Sequence, residues 1–207
     1  MKTRILTKLF FVMLFCIAAA GAGQAQERRS SGAVVRIRKL NGLGSKSMVY
    51  TPQYNSNEPR ATGRAKKWHQ ISVLYDSAPK WIDELAIQFH VLSVTRDPET
   101  KKKAFSLHKM VVKYADIAQG RSHTATAFMR PAASLRFGDP IAVALVFSVD
   151  GKVVDEVSEE SEKLPEKWWK NPKVTDNDNV TVRQGYLLNR SESPWAMINY
   201  DDYEAIK

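Results

Sequence analysis

The sequence predicts an all-β protein, an antiparallel β-sandwich of about seven to nine strands with little helix. Several short segments alternate apolar and polar side chains at period two, which is the signature of a strand. Clusters of Gly, Pro, Asn and Asp separate these segments at short intervals, as the turns of a sandwich or barrel do. No segment has the period and length of an ordinary helix. A parallel sheet, whose crossovers need helices, is therefore not expected.

Residues 1–25 have the pattern of a secretory signal peptide. Three basic residues precede an apolar run at residues 9–20 that is too short to span a bilayer, and small residues follow it. Removal of this segment also removes Cys16, the only cysteine, so the remaining core must hold without a disulfide. The sequence therefore predicts a periplasmic or extracellular protein, at the cell surface, that does not span the membrane after cleavage.

Residues 26–67 form a basic arm. Ten lysines and arginines and two glutamates lie in this segment, so it carries a charge of +8, against +9 for the whole chain. Its one strand candidate, residues 33–40, places Arg36 and Arg38 on the same face. This strand can pair within its own domain or with the sheet edge of a neighbour. The cations could attract anionic lipid or an acidic glycan, whereas an exported protein is not expected to meet nucleic acid.

Residues 68–207 form the predicted sandwich domain. Its strand candidates cover residues 71–75, 85–91, 105–114, 123–130, 141–149, 153–157, 180–188 and 196–200. Residues 131–138 are expected to be a connection and residues 171–179 a loop. The acidic run within residues 156–169 could hold one or two helical turns.

The hairpin at residues 139–157 is the best-defined element of this domain. Leu145 and Phe147 lie at period two on an apolar face, and small, mostly apolar side chains fill the opposite face. Asp150 and Gly151 supply the two positive-φ positions of a type I′ turn. We therefore expect a central strand that is covered on most of its length, with Leu145 and Phe147 buried and Gly151 at positive φ.

No group of residues predicts catalysis, a metal site or a cofactor. The histidines fall on separate strand candidates and lack the spacing of metal ligands; they are His69, His90, His108 and His123. Residues 176–179 resemble the start of a calcium loop, but Thr181 and Leu187 stand where such a loop needs Gly and Glu. A hydrolase would need an acid or histidine cluster in a cleft, so we expect a protein that is not an enzyme.

The tryptophans leave a carbohydrate-binding module as the alternative to a structural role. Trp168, Trp169 and Trp195 are candidates to stack on sugar rings if their indole rings are exposed. Adjacent residues of a strand point to opposite faces, so Trp168 and Trp169 could not form one platform there. Aromatic side chains of this size also dominate protein cores. These three tryptophans, with Arg36 and Arg38, are the candidate contacts for a ligand or partner.

Motifs across the predicted domain resemble a family of exported immunoglobulin-like proteins of verrucomicrobial bacteria, some of them encoded with pilus genes in mucin-degrading gut species. The motifs are Trp68-His-Gln-Ile-Ser-Val, Trp81-Ile-Asp-Glu-Leu85, Tyr114-Ala-Asp-Ile-Ala-Gln-Gly120, Pro165-Glu-Lys-Trp-Trp169, Arg190-Ser-Glu-Ser-Pro-Trp195 and Asp202-Tyr-Glu-Ala-Ile206. They do not cover the basic arm. The resemblance implies an immunoglobulin-like sandwich similar to archaeal pilus subunits and a surface or pilus-associated role. It implies no activity and no site residues.

The sequence thus predicts an exported, non-enzymatic structural or interaction module, with a pilus-associated or cell-surface role. Its expected partners are proteins of the cell envelope or pilus, or further copies of the chain.

Overall fold

The computed structural model describes residues 34–52, 65–96, 99, 101–199 and 203–207. All of these belong to one compact unit, Gly32–Lys207. The predicted signal peptide at residues 1–25 lies outside the described residues, as do residues 26–33 and 53–64 of the basic arm.

The described residues contain eleven strands and two short α-helices. The strands are β1 (Val35–Asn41), β2 (Met48–Tyr50), β3 (Lys67–Ser77), β4 (Ile82–Arg96), β5 (Lys103–Ile117), β6 (Gly120–Met129), β7 (Pro140–Val149), β8 (Lys152–Glu160), β9 (Val180–Arg183), β10 (Leu187–Asn189) and β11 (Ala205–Ile206). The helices are α1 (Pro131–Phe137) and α2 (Pro172–Thr175), and single 3₁₀ turns cover Ser45–Ser47 and Arg190–Glu192.

The strands form two sheets that pack as a sandwich, which confirms the predicted fold class. The first sheet has the order β1-β3-β6-β10, with β2 also beside β3. The second sheet has the order β11-β5-β4-β7-β8, with β9 also beside β5. Adjacent strands are antiparallel except for the β5–β9 pair, which is parallel. Buried side chains of both sheets make the central core, including Ile71, Tyr75, Phe89 and Leu145.

The structure contains more strands than expected because several are short and are defined only by their partners. β1 and β2 both pair with β3, so residues of the basic arm contribute two strands to the first sheet. The predicted strand at residues 180–188 is two strands in different sheets, since β9 pairs with β5 and β10 pairs with β6. Gly185, at φ 79°, lies in the crossing between them.

Four local predictions need correction, one of them the loop expected at residues 171–179, which contains α2. Residues 196–200 were expected to be a strand, but the Ala196 N–H donates to Ser193 O and the Ile198 N–H to Trp195 O, which makes successive turns. The connection at residues 131–138 contains α1, which has Pro at its first position and ends at Gly138. Extended structure continues to Glu160 in β8, so the acidic run is strand, and the turns come later, at residues 166–170.

The central hairpin has the predicted form. Leu145 and Phe147 are both 0% exposed. Asp150 has φ 51° and Gly151 has φ 73°, and Val149 pairs with Lys152 across the two-residue turn. β7 is also covered on its second face, because Ala142, Ala144 and Val146 belong to a separate apolar cluster.

Candidate functional site: a protected edge and an open edge

Trp168 and Trp169 are core residues and not a binding surface. They are 0% and 6% exposed. Their rings meet edge to face with centroids 5.8 Å apart, and they pack in the cluster that covers the second face of β7. The Trp168 Nε1–H donates to Glu160 Oε1 at 3.1 Å, which satisfies its polar atom. This corrects the interpretation of the two residues as ligand contacts, because buried rings cannot stack on a sugar.

Trp195 lies apart from that pair. Its ring stacks on Phe128 with centroids 4.4 Å apart and an interplanar angle of 2°, and it meets Trp68 edge to face at 5.5 Å. The Trp68 Nε1–H donates to Thr51 Oγ1 at 2.9 Å. Trp195 therefore joins an aromatic group that ties the C-terminal segment to β3 and β6, with one ring face already covered.

Arg36 and Arg38 lie on β1, the edge strand of the first sheet, with both side chains exposed. Arg38 forms an ion pair of 2.8 Å with Asp76 on the neighbouring strand β3. The Ser122 N–H and Arg38 both bond the Asp76 carboxylate, and they hold its pKa below the usual range. The five predicted contact residues thus lie in three separate places.

Carboxylates of β8 protect the open side of β1. The Ile37 N–H donates to Asp155 Oδ2 at 3.0 Å, and the Gly42 N–H donates to Glu159 Oε2 at 2.8 Å. These acceptors occupy donors that an edge strand would otherwise offer to another chain. The basic strand therefore forms the first strand of its own sandwich, and the edge strands of the two sheets close this side of the molecule.

The opposite side of the second sheet has a stretch of unpaired strand. β9 pairs with β5 at Phe105–His108, and β11 pairs with it at Tyr114–Ala115. Between them, residues 109–113 face no strand on this side within the described part of the chain. The Phe105 N–H donates to Asn179 O at 3.0 Å, and Lys113 O accepts from the Lys207 N–H at 2.9 Å, so both groups point outward.

The backbone of Val111 points outward at the middle of this stretch. Alternate residues of a strand direct their N–H and C=O groups to the same side, and the β4–β5 register runs without a shift. Val111 lies at that spacing between Phe105 and Lys113, so its N–H and C=O also face outward. Its side chain is 55% exposed. We call residues 109–113 of β5 the open edge.

A groove of about 450 Å³ runs beside the open edge. Its lining combines apolar, amide and charged side chains: Gln88, Lys109, Met110, Val111, Gln184, Leu187, Asn189 and Glu192, with Gly185. The segment that crosses from β9 to β10 forms its far wall. The open edge therefore lies along a groove, and the segment between β9 and β10 forms the other side of that groove.

The histidines do not form a metal site. His69, His90 and His108 are buried at 2%, 4% and 1% exposure, and burial lowers the pKa of each. Among the described residues, no three of His, Cys, Asp and Glu lie where they could hold a metal ion together. No helix in the same part of the chain is long and apolar enough to cross a membrane.

His123 lies in a hydrogen-bonded chain that the sequence did not predict. Its Nε2 is 3.0 Å from Ser77 Oγ, and its Nδ1 bonds Glu204 Oε1. This order of serine, histidine and acid is that of a hydrolytic triad. However, Ser77 is 2% exposed, and its hydroxyl donates its one proton to Ala118 O at 2.5 Å.

The direction of these bonds is opposite to that of an activated nucleophile. Since the Ser77 hydroxyl donates its one hydrogen bond to Ala118 O, its oxygen accepts from His123 Nε2 and from the Gly120 N–H, which is 3.1 Å away. A catalytic serine donates to the histidine and must be open to substrate. This chain instead joins β3, β6 and the C-terminal segment.

The fold and these edges define an immunoglobulin-like β-sandwich with one edge protected by carboxylates and one edge open. A family model matches residues 35–207, and the chain belongs to that family, the pilus-associated immunoglobulin-like proteins that its motifs resemble. The match starts inside the basic arm, further toward the N-terminus than the motifs indicated.

The fold is similar to that in a crystal structure of a protein from Akkermansia muciniphila. The two chains have a TM-score of 0.67 and 24% identity, over 84% of this chain and 92% of the other. At that identity the likeness shows the fold alone. No curated protein matches the chain.

The sequence carried one signal for the open edge. Lys109 and Lys113 flank Val111 at period two, and lysines on one face of a strand are typical of exposed edges. The sequence gave no signal for the hydrogen bonds that connect Ser77, His123 and Glu204. The histidine and the glutamate are 81 residues apart, and local patterns do not relate residues at that separation.

Proposed function

We propose that this protein is a non-enzymatic, exported module of the cell envelope that joins a pilus-associated assembly by strand addition. The open edge of β5 accepts an extended segment of a partner protein. The observation that carries the proposal is the outward-facing, unpaired backbone of Val111 between β9 and β11. Membership of the pilus-associated family supports a role in the envelope.

The contrast between the two sides of the molecule supports this proposal. Proteins protect sheet edges because unpaired N–H and C=O groups recruit other chains. On the β1 side, two carboxylates bond the free N–H groups. On the β5 side, strands pair with both ends of β5 and leave the middle free. An edge left open beside a groove is the arrangement that strand-addition sites use.

Side chains of the open edge specify the chemistry of the incoming segment. Lys109, Val111 and Lys113 share one face of β5. Lys113 and Lys207 share one carboxylate, Glu84, at 2.8 and 2.7 Å, which leaves a positive excess. Lys109 forms no ion pair with any described residue. Opposite charges pair favourably across strands, so the complementary segment has an apolar residue opposite Val111 and acids on either side.

The bonds of Ser77 fit the proposed structural role. Its hydroxyl bonds two backbone groups within a buried turn. Ser77 and His123 therefore have a structural role, the hydrogen bonding of β3 to β6 and the C-terminal segment, that requires no reaction with a substrate.

The proposal is tested by Val111→Lys, with Val153→Lys as the matched control. Both valines lie in edge regions of the second sheet and are exposed to the same extent, 55% and 56%. A photo-crosslinking amino acid at Gln184, in the wall of the groove, reports occupancy in the envelope of the native host. The cross-linked residues of the partner are identified by mass spectrometry.

We expect cross-links to one extended segment with acids flanking an apolar residue, lost in Val111→Lys and kept in Val153→Lys. Thermal melts of the purified variants check that both fold. Cross-links that survive Val111→Lys, or that map to scattered surface residues, would refute strand addition at this edge.

A further inference from the structure

The helix α1, at one end of the sandwich, carries the most exposed large apolar side chain among the described residues. Ala133 and Phe137 lie one turn apart on its inner face and belong to the central core. Ala132 and Leu135 lie three residues apart on its outer face, and Leu135 is 89% exposed. A single exposed leucine is common on protein surfaces, so its surroundings decide what it indicates.

Two exposed arginines flank this leucine. Arg130 directly precedes α1, and Arg136 follows Leu135 within it. Neither arginine forms an ion pair with a described residue, and residues 129–138 contain no Asp or Glu. The Arg136 guanidinium lies 5.1 Å from the centroid of the Phe137 ring, a contact that supplies no opposite charge. The helix therefore combines an apolar outer face with positive charge that no carboxylate of the described chain offsets directly.

The connection from β4 to β5 brings further cations beside α1. Gly138, at the end of the helix, lies against the backbone of β4, since a Cβ on this residue would be 1.9 Å from Val94 O. Arg96 ends β4 two residues later, and residues 101–103 are three exposed lysines at the start of β5. Cations from two separate connections therefore meet at this end of the sandwich.

The net charge of this end is positive. Residues 94–104 and 129–139 together contain six lysines and arginines and three acids, so the two segments carry a charge of +3. Lys103 pairs with Glu162 at 3.3 Å, which offsets one positive charge and leaves an excess. We call the exposed side chains of these two segments the basic end.

An exposed apolar side chain among cations matches the chemistry of an anionic bilayer surface. There a leucine enters the boundary of the acyl chains, while the charged heads of arginine and lysine stay at the level of the lipid phosphates. A soluble polyanion would pair with the cations but would leave Leu135 in water. A dry protein interface would have to bury arginines without partners, which is costly. The leucine and the cations together therefore favour a membrane surface.

We propose that the basic end docks on a bilayer that contains anionic phospholipid, with Leu135 inserted and Arg130 and Arg136 at the lipid phosphates. The open edge starts at Lys109, six residues along β5 from Lys103, and thus roughly 20 Å away at the rise of a strand. Docking at the basic end does not occupy the open edge. The inference goes beyond the proposed strand addition and does not depend on it.

Sedimentation with lipid vesicles measures the docking. The protein is the chain without the predicted signal peptide, residues 26–207, because the apolar run at residues 9–20 would itself bind lipid. This chain retains the whole compact unit Gly32–Lys207. Vesicles of phosphatidylcholine alone are compared with vesicles of phosphatidylcholine and phosphatidylglycerol in equal amounts, at low and at high salt. Dextran sulfate serves as the soluble polyanion.

Two variants test the basic end. Leu135→Ser should weaken binding to the anionic vesicles about tenfold, since it removes most of the apolar surface that enters the bilayer. Arg130→Gln combined with Arg136→Gln should weaken it about 25-fold, at about fivefold for each charge near an anionic surface. High salt should weaken the binding of the wild type, because salt screens the attraction between the cations and the lipid.

The control variants change the opposite end of the sandwich. α1 lies beside the ends of β4 and β6, whereas Trp81 directly precedes β4, and Arg121 and Lys152 lie at the starts of β6 and β8. Trp81→Ser, at a side chain that is 65% exposed, and the double variant Arg121→Gln with Lys152→Gln should bind nearly as tightly as the wild type. Circular dichroism and thermal melts verify that every variant folds.

Equal binding to the neutral and the anionic vesicles, or an equal loss of binding in the control variants, would overturn the proposal. A Leu135→Ser variant that binds the vesicles as tightly as the wild type would also overturn it, and binding of dextran sulfate by that variant would then assign the basic end to polyanions. None of these outcomes depends on cross-linking at the open edge.

Discussion

Lowering the pH from 6.5 to 5 should destabilise the protein through its three buried histidines, His69, His90 and His108. Burial, the largest cause, lowers the pKa of His90 and of His108 to about 4, from an ordinary value of 6.5. Nearby cations act in the same direction, Lys109 and Lys170 on His90 and Arg183 on His108. Between these values the unfolded chain binds protons that the folded chain does not, so stability is present above pH 6.5 and falls as the pH drops.

The size of the effect follows from the pKa difference. The slope for each of His90 and His108 rises from about half of 1.4 kcal/mol per pH unit at pH 6.5, where the unfolded side chain is half protonated, toward the full value near pH 5, so the two together remove about 3 kcal/mol over this window. Most carboxylates titrate below this window, so their contribution to the slope is small.

Urea denaturation at pH 6.5, 6.0, 5.5 and 5.0 measures the slope directly. His108→Gln removes one titrating group, and the mean slope of its unfolding free energy against pH over this window should be about 1 kcal/mol per unit shallower than that of the wild type. At pH 6.5 its stability should be lower than that of the wild type, since the bond from His108 Nε2 to Ser93 Oγ at 3.2 Å is altered. Equal slopes in the two proteins would show that His108 is protonated in the folded state or accessible to solvent.

Three further substitutions test the fold. Leu145→Ala should lower the free energy of unfolding, measured by urea denaturation, by about 2–5 kcal/mol, because it leaves a cavity in the core. Val153→Ala, at an exposed site, should lower it much less. Equal losses in the two variants would show that Leu145 of β7 is not a core residue. Gly151→Val should cost about 1–2 kcal/mol from its positive φ alone, since nothing lies within 4 Å of a Cβ there, and Gly151→Asn should cost less; a neutral valine variant would contradict the turn type. Asp155→Ala should lower stability by about 1–3 kcal/mol and speed hydrogen exchange at Ile37, and unchanged exchange there would mean that the carboxylate does not protect β1.

Local patterns predicted the central hairpin correctly. The alternation that places Leu145 and Phe147 on one face, and the Asp150-Gly151 pair, are determined by residues close in sequence. The small apolar second face of β7 also indicated that something covers it. The identity of the cover, Trp168 and Trp169, depends on where the chain returns after β8, and no local pattern gives that.

Pairings of short strands could not be predicted. β9 and β10 lie four residues apart in the chain yet belong to different sheets, and the apolar pattern of residues 180–188 reads the same in either case. The open edge exists because β9 ends beside His108 and β11 begins beside Ala115. The position of the open edge therefore depends on which strands pair in the folded protein. In the sequence, only Lys109 and Lys113 indicated an exposed edge there.

The unpredicted chain of hydrogen bonds also depends on tertiary structure. Ser77, His123 and Glu204 come from distant parts of the chain, as the bond between His123 and Glu204 illustrates. The C-terminal segment supplies Glu204 where it crosses from β10 in one sheet to β11 in the other. Composition alone gave no indication that this segment would bring polar groups together.

Hydrogen exchange at the Val111 amide tests the open edge most directly. In the free chain this amide should exchange rapidly, whereas the Phe105 and Ile37 amides, bonded to Asn179 O and Asp155 Oδ2, should be protected. In the assembly purified from the native envelope, Val111 should become protected while the other two amides stay unchanged. A Val111 amide that is protected in the free chain, or that still exchanges rapidly in the assembly, would contradict strand addition at β5.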